Sequence, residues 1–463
     1  MHEKRILKTQ PAGEKGKSGI TDLTEGIIWK QLIIFAIPLL GSSLIQQLYN
    51  TVDLIFVGKM IGTEASAAVG ASGLLITCLV GFFTGLSIGT SVTVSHAFGA
   101  NDHKRLHRIV HTAAAISLGG GLIVTVLGLL IAPAALRLLN TPSDIFDLAN
   151  TYIKLYFLSI TSIISYNMGA GILRALGDSK TPMICQLIGG IGNVFANTIC
   201  IAVLKLGVRG AAYATIISQT TAAVLVAIMI MRLDPEYALR LKKIRIYMKE
   251  FKQILTIGVP AGIQAMIITF SNLVIQANIN RLGTPSIAAF AAYFKVELFI
   301  YLPILSIGQA STTFVGQNAG AGKIDRIRKG VNITILMGIV ITLAMSGLSL
   351  TFSRFAFGMF LNDAQVIEIG RSIAWTAFPL YFIYVFLETY SGAARGLGKS
   401  VPPMIITIVC ICVLRVAVLT LIMKISPTAA HAALVYPITW FAASVCHFFF
   451  YRYTIKKIEK TGM

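Results

Sequence analysis

Apolar runs of twenty or more residues recur along the chain, and its polar residues gather in the short stretches between them. The apolar positions are continuous rather than alternating, which excludes the two-residue period of membrane β-strands and leaves helices. At 1.5 Å per residue, a helix of ~20 residues crosses a hydrocarbon core of roughly 30 Å. The pattern predicts twelve spans, at residues 31–58, 66–95, 109–132, 147–173, 182–204, 210–231, 254–281, 286–315, 330–353, 367–393, 402–424 and 429–451. Pro38, Pro260, Pro303 and Pro379 fall inside spans and are expected to kink them, because proline removes an N–H and clashes with the preceding turn.

The two halves repeat one design. Trp29-Lys30-Gln31 and Pro38 recur 222 residues later as Phe251-Lys252-Gln253 and Pro260, and beyond a one-residue gap the offset is 221. The block from Gly171 through Arg174, Gly177 and Pro182 to Met183 returns as Gly392, Arg395, Gly398, Pro403 and Met404. Six spans per half is an even number, so both copies share one orientation: a parallel repeat with its axis along the membrane normal. The expected organisation is an N-terminal tail (1–26), a six-helix lobe (27–231), a basic linker (232–252), a second six-helix lobe (253–452) and a C-terminal tail (453–463).

Composition agrees with a membrane protein: 55% hydrophobic and 13% charged residues, with a mean hydropathy of +0.77. The net charge of +20 would suggest a nucleic-acid partner in a soluble chain. Here 28 Lys and Arg residues lie in the two tails and alternate loops against eight in the intervening loops, the positive-inside pattern. Both termini are therefore expected in the cytoplasm, with the lipid bilayer rather than nucleic acid as partner. The six cysteines all lie in apolar segments and read as packing residues. Gly119–Gly121 and Gly189-Gly190 lack the Lys-Ser/Thr of a phosphate loop and read as close helix packing. With no nucleotide motif, metal cluster or nucleophile arrangement, the chain is read as a non-enzyme that needs no cofactor and draws on an ion gradient.

Acids inside spans cost about 2.5–3.5 kcal/mol at a helix centre and mark function by default. Asp53 sits in the outer half of the first span among apolar neighbours. Desolvation favours its neutral form and a bound cation its charged form, so it suits proton or cation exchange; the plainer reading is an ionised cap on nearby backbone. In the second half Lys295, Glu297, Glu388 and Arg415 are candidates for a charge network, Arg415 pairing with Glu297 or Glu388 and Lys295 with the other. Tyr49, Met168, Met266 and Tyr381 are candidate cavity residues, since aromatic faces and adaptable thioethers suit flat organic cations.

Ile37-Pro38 and the stretch from Gln46 through Tyr49, Asn50 and Asp53 to Gly58 resemble the first helix of the multidrug and toxic compound extrusion (MATE) family. So do Leu173-Arg174-Ala175-Leu176-Gly177-Asp178, Val315-Gly316-Gln317-Asn318 and Ser391 to Gly396. The resemblance covers about residues 25–455, and within the family it is to the bacterial branch related to DNA-damage-inducible protein F. It implies an all-α fold of two lobes in a V and placement in the bacterial cytoplasmic membrane. It also implies export of organic, often cationic, compounds in exchange for H⁺ or Na⁺, the protein acting as a monomer. The family's first-lobe cation cluster maps onto Asp53, Asn193, Asn197 and Thr215. Asn197 departs from the acid found there, which weakens Na⁺ binding and tilts the coupling ion toward H⁺, with Na⁺ at Asp53, Asn193 and Asn197 still open. The alternative role of the Asn pair is polar glue between helices. Another branch uses acids in helices 7 and 10; helix 7 here has none between Phe251 and Arg281, Tyr384 stands near the second position, and Glu388 is either its displaced equivalent or a structural partner. The alternative function is a flippase for lipid-linked saccharide precursors, which shares the lobe architecture.

Overall fold

The computed structural model describes residues 21–461, and among these the regular structure is helical throughout. The first lobe comprises α1 (Ile28–Ile61), α2 (Thr63–Gly99), α3 (His103–Leu138), α4 (Ser143–Ala175), α5 (Lys180–Val203) and α6 (Val208–Met231). The second comprises α7 (Met248–Asn280), α8 (Thr284–Gly320), α9 (Ile324–Thr351), α10 (Ala364–Gly396), α11 (Val401–Ile425) and α12 (Ala429–Lys460). Each predicted span has its helix. Of the four spans expected to kink at proline, only α10 is broken, by 52° between Leu380 and Phe382, just after Pro379. Pro38, Pro260 and Pro303 lie inside unbroken helices.

Helices overrun the predicted ends wherever polar turns continue them past the apolar stretch. Both α2 and α8 have 37 residues, about 56 Å at 1.5 Å per residue and more than the hydrocarbon core requires. The helix α12 continues through most of the expected C-terminal tail, where Glu459 pairs with Arg328 of α9. Residues 1–20 of the expected N-terminal tail lie outside the described residues.

The repeat is written into the backbone as well as the sequence. Gly62 and Gly283, 221 positions apart, have φ of 125° and 88° at the starts of α2 and α8. Gly177 and Gly398, again 221 apart, have φ of 95° and 76° after α4 and α10. These are left-handed turns that glycine enters without a Cβ penalty. Each lobe has its own apolar core, the first around Ile109, Ile153 and Ile160, the second around Phe290, Tyr293 and Phe378. A third cluster joins Leu32, Phe35 and Leu39 of α1 to Ile307, Phe314 and Ile327 of the second lobe, so the first half of α1 packs across the boundary.

The lobes meet tightly at the end of the molecule where the described residues begin and end, the termini face. On α2, a methyl group at Gly85 would overlap the backbone of Gly262, and one at Gly89 the carbonyl of Ile254. Further toward the termini, His96 Nε2 donates to the Gly396 carbonyl at 2.7 Å and Gln317 Nε2 to that of Ala175 at 2.8 Å. Residues 22–26 form a strap at this junction that bonds to the second lobe, while the backbone of Thr21, just before them, lies against Gly177 of the first. Leu23 is fully buried, its N–H donates to Gln317 Oε1 at 2.9 Å, and its carbonyl accepts from Asn318 Nδ2 at 3.2 Å. Lys323 Nζ donates to the Thr24 carbonyl at 3.0 Å, and Arg326 to those of Gly26 and Glu25 at 2.9 and 2.7 Å.

Candidate functional site

Above this seal a cavity of ≈ 590 Å³ lies between the lobes, within the usual range for small-molecule sites. Its wall is rich in neutral hydrogen-bonding groups: amides such as Gln47, Asn167, Gln186, Gln219, Gln264 and Gln309, and the five tyrosines Tyr49, Tyr156, Tyr166, Tyr301 and Tyr384. Ionisable side chains in the wall, tyrosine aside, are Arg174, Glu388 and Arg395. Sequence reasoning put Tyr49 in this wall and missed the amides. Their signal was available, since an amide inside a membrane span avoids lipid for the same reason a charge does.

The other cavity candidates lie elsewhere. Met168 is buried in the first-lobe core and faces a separate apolar cleft of ≈ 250 Å³ beside α3 and α6. On α7 the wall residues are Ala261, Gln264, Ala265, Ile268, Thr269 and Asn272, a helical stripe that leaves Met266 on another face. Tyr381 is drawn into the second-lobe core, its ring centroid 4.6 Å from that of Trp440.

One helical turn beyond Tyr49, on the same side of α1, is Asp53, 8% exposed. Asn197 Nδ2 of α5 donates both to Asp53 Oδ1 and to Asn193 Oδ1, each at 2.9 Å. Both asparagines are fully buried, and two of their polar atoms, Asn193 Nδ2 and Asn197 Oδ1, have no hydrogen-bond partner. Tyr49 OH donates to Thr215 Oγ1 of α6 at 3.3 Å, which links the fourth residue of the group to the cavity wall. Three of the four residues named from sequence are thus hydrogen-bonded together inside the first lobe, directly behind the wall, while Thr215 bonds to Tyr49 and to the Ala211 carbonyl. Two helices change geometry there: α1 has a π turn at Val57–Ile61, just past Asp53, and α5 another at Thr198–Val203, just past Asn197. Such turns are frequent at functional sites.

The second lobe holds separate clusters in place of the expected network. Glu388 pairs with Arg395, two turns along the same helix, at 2.8 Å. Arg395 also donates to Ser391 Oγ at 3.1 Å and to Gln264 Oε1 at 3.4 Å. Glu297 accepts from Tyr381 OH at 2.7 Å and Tyr293 OH at 3.5 Å. Arg415 forms no ion pair among the described residues; Thr439 Oγ1 and Asn272 Oδ1 accept from it at 3.3 Å, and its guanidinium lies 5.0 Å from the Tyr436 ring centre. Lys295 is exposed, because two residues of helix turn it away from Glu297. Neutral hydroxyls and an amide thus satisfy Glu297 and Arg415, which the sequence suggested could pair.

Comparison with known proteins places this architecture. The family model described as MatE matches residues 38–199 and again 260–421, one match in each lobe. Among curated proteins, the probable multidrug resistance protein YoeA of Bacillus subtilis is 27% identical over 390 residues, 82% of this chain and 84% of that protein. The probable multidrug resistance protein NorM of Thermotoga maritima is 26% identical over 401 residues, 86% of each. Among solved structures, an outward-facing multidrug resistance transporter of the MOP superfamily superposes with a TM-score of 0.90 at 23% identity, covering 97% of this chain and all of that one. A MOP superfamily transporter from Pyrococcus furiosus, described as having a binding pocket of reverse polarity, gives 0.87 at 24% identity, covering 96% and 99%.

Proposed function

The chain belongs to the MATE family, and from that premise we propose that it is a secondary antiporter exporting small organic compounds, cations among them, in exchange for H⁺. The observation that carries this reading is the Asp53–Asn197–Asn193 chain set one turn behind the cavity wall at Tyr49. With Asp53 ionised, Asn197 Nδ2 donates to it, which is the arrangement described above. With Asp53 protonated, its hydroxyl becomes a donor, and a half-turn of the Asn197 amide presents Oδ1 to accept it. Turning the Asn193 amide as well brings its unpartnered Nδ2 to the same oxygen. The cluster then has two self-consistent hydrogen-bond patterns that differ by one proton. One formal charge among amides favours H⁺ over Na⁺, for which a second carboxylate would strengthen the donor set. Tyr49, one helical turn from Asp53 on α1, is the cavity-wall residue nearest to it along the helix.

With the basic, termini-bearing face taken as cytoplasmic, the cavity is sealed from the cytoplasm and belongs to the outward-facing half of an alternating-access cycle. The names of the curated relatives, probable multidrug resistance proteins, support the export reading. The test is ethidium transport in vesicles under an imposed pH or Na⁺ gradient. The wild-type protein is expected to export ethidium when driven by protons, and Asp53→Asn to fall to the protein-free rate while still binding the dye. Equal transport by Asp53→Asn would remove the carboxylate from the mechanism, and stimulation by Na⁺ alone would replace the proton.

A further inference from the structure

Arg174 and Arg395 occupy equivalent positions in the repeat, 221 residues apart, in the last turns of α4 and α10, and both line the cavity. Basic residues suit a helix C-terminus, which accounts for an arginine at both places. Their partners differ. Arg395 is neutralised by Glu388 at 2.8 Å. The position equivalent to Glu388 in the first lobe is Asn167, whose amide donates to the Ile163 carbonyl at 2.8 Å and offers no charge. Arg174 uses its Nε on the Ala170 carbonyl at 3.1 Å, and among the described residues it has no carboxylate within ion-pair distance. Asp178, the nearest acid in sequence, is turned to the N–H of Thr181. Tyr166, also in the wall, spends its hydroxyl on the Pro182 carbonyl at 3.1 Å. Two arginines against one glutamate leave the wall with one uncompensated positive charge, among amides that cannot neutralise it.

We infer that Arg174 is an anion subsite of the cavity, and that the solutes this protein holds best carry one carboxylate, sulfonate or phosphate group. Its guanidinium can engage such a group through two parallel N–H donors. The tyrosines and amides around it accept an aromatic body, and a zwitterion sets its cationic end against tyrosine faces. The inference rests on the efflux reading only in taking the cavity as the solute site.

The experiment compares two dyes that differ in one group, tetramethylrhodamine with a free carboxylate and its methyl ester, by fluorescence anisotropy on the detergent-solubilised full chain. The wild-type protein should bind the acid about tenfold more tightly than the ester, a modest value for a charge-assisted pair. Arg174→Gln should lose that preference while still binding the ester at least as tightly as the wild-type protein, because a like charge has been removed, which also shows that the variant is folded, and Arg174→Lys should regain part of the preference. Ester binding with no wild-type preference for the acid, or a preference that survives Arg174→Gln, overturns the subsite and leaves the efflux reading standing. Binding of neither dye overturns both. Repeating the measurement in nanodiscs identifies the source of the anion. Equal affinities with and without phosphatidylglycerol assign the subsite to soluble solutes, and loss of the acid's advantage in phosphatidylglycerol discs assigns it to a lipid phosphate.

Discussion

Asp53 and Glu388 are both buried carboxylates, yet their neighbours give them opposite characters. Glu388 faces a guanidinium and closes a pair, and removing one member of a buried pair leaves the other uncompensated. Glu388→Ala is therefore expected to destabilise the protein by about 3 kcal/mol, measured as a lowered thermal unfolding midpoint in detergent. Asp53 faces amides, so its charge is free to change with a bound proton. Asn197→Asp places a second carboxylate beside it, and transport by this variant should become stimulated by Na⁺ in the ethidium assay, where the wild-type protein is expected to respond to pH. The sequence exposed the Asp53 group because the residues lie in spans and match a family pattern. It did not expose the pairing of Glu388, because the competing partners Lys295, Arg395 and Arg415 are told apart only by helix rotation and by hydroxyls brought in from other spans.

Spans are legible because hydropathy is a local property, and the twelve helices follow from it. The faces they present are not, since lipid and protein interior are equally apolar and leave no amphipathic stripe to read. Met168, Met266 and Tyr381 were misassigned to the cavity for that reason, whereas Tyr49 was placed in its wall. The glycines were partly legible: Gly121 abuts Thr161 and Gly189 abuts Ser218, but Gly119 faces open space. The close approach of α2 and α7 gives a sharper element-level test. Gly89→Val has no room beside Ile254 and should force the seal apart. In a background without native cysteines, a cysteine at Ser87 in the cavity wall should then react with a membrane-impermeant maleimide from the termini face, where the parent remains protected.

Across the whole molecule, the seal is held by glycine contact, by two cross-lobe hydrogen bonds near His96 and Gln317, and by the strap of residues 22–26. The strap has to leave before the lobes can part at that end, so deleting residues 1–25 should shift the resting population toward the termini-open form. The same Ser87 cysteine assay reads this as faster labelling from the termini face. The wall at Tyr49 has a different consequence. In the proposed exchange it keeps the Asp53 group out of the cavity, so proton and solute would not compete for one volume and would influence each other only through the protein that separates them. Thermodynamic linkage then requires that whatever factor a proton imposes on solute affinity, the solute imposes on proton affinity. Calorimetric titrations of a single dye in buffers of different ionisation enthalpy would count the protons released per solute bound, and so measure the coupling without any membrane gradient.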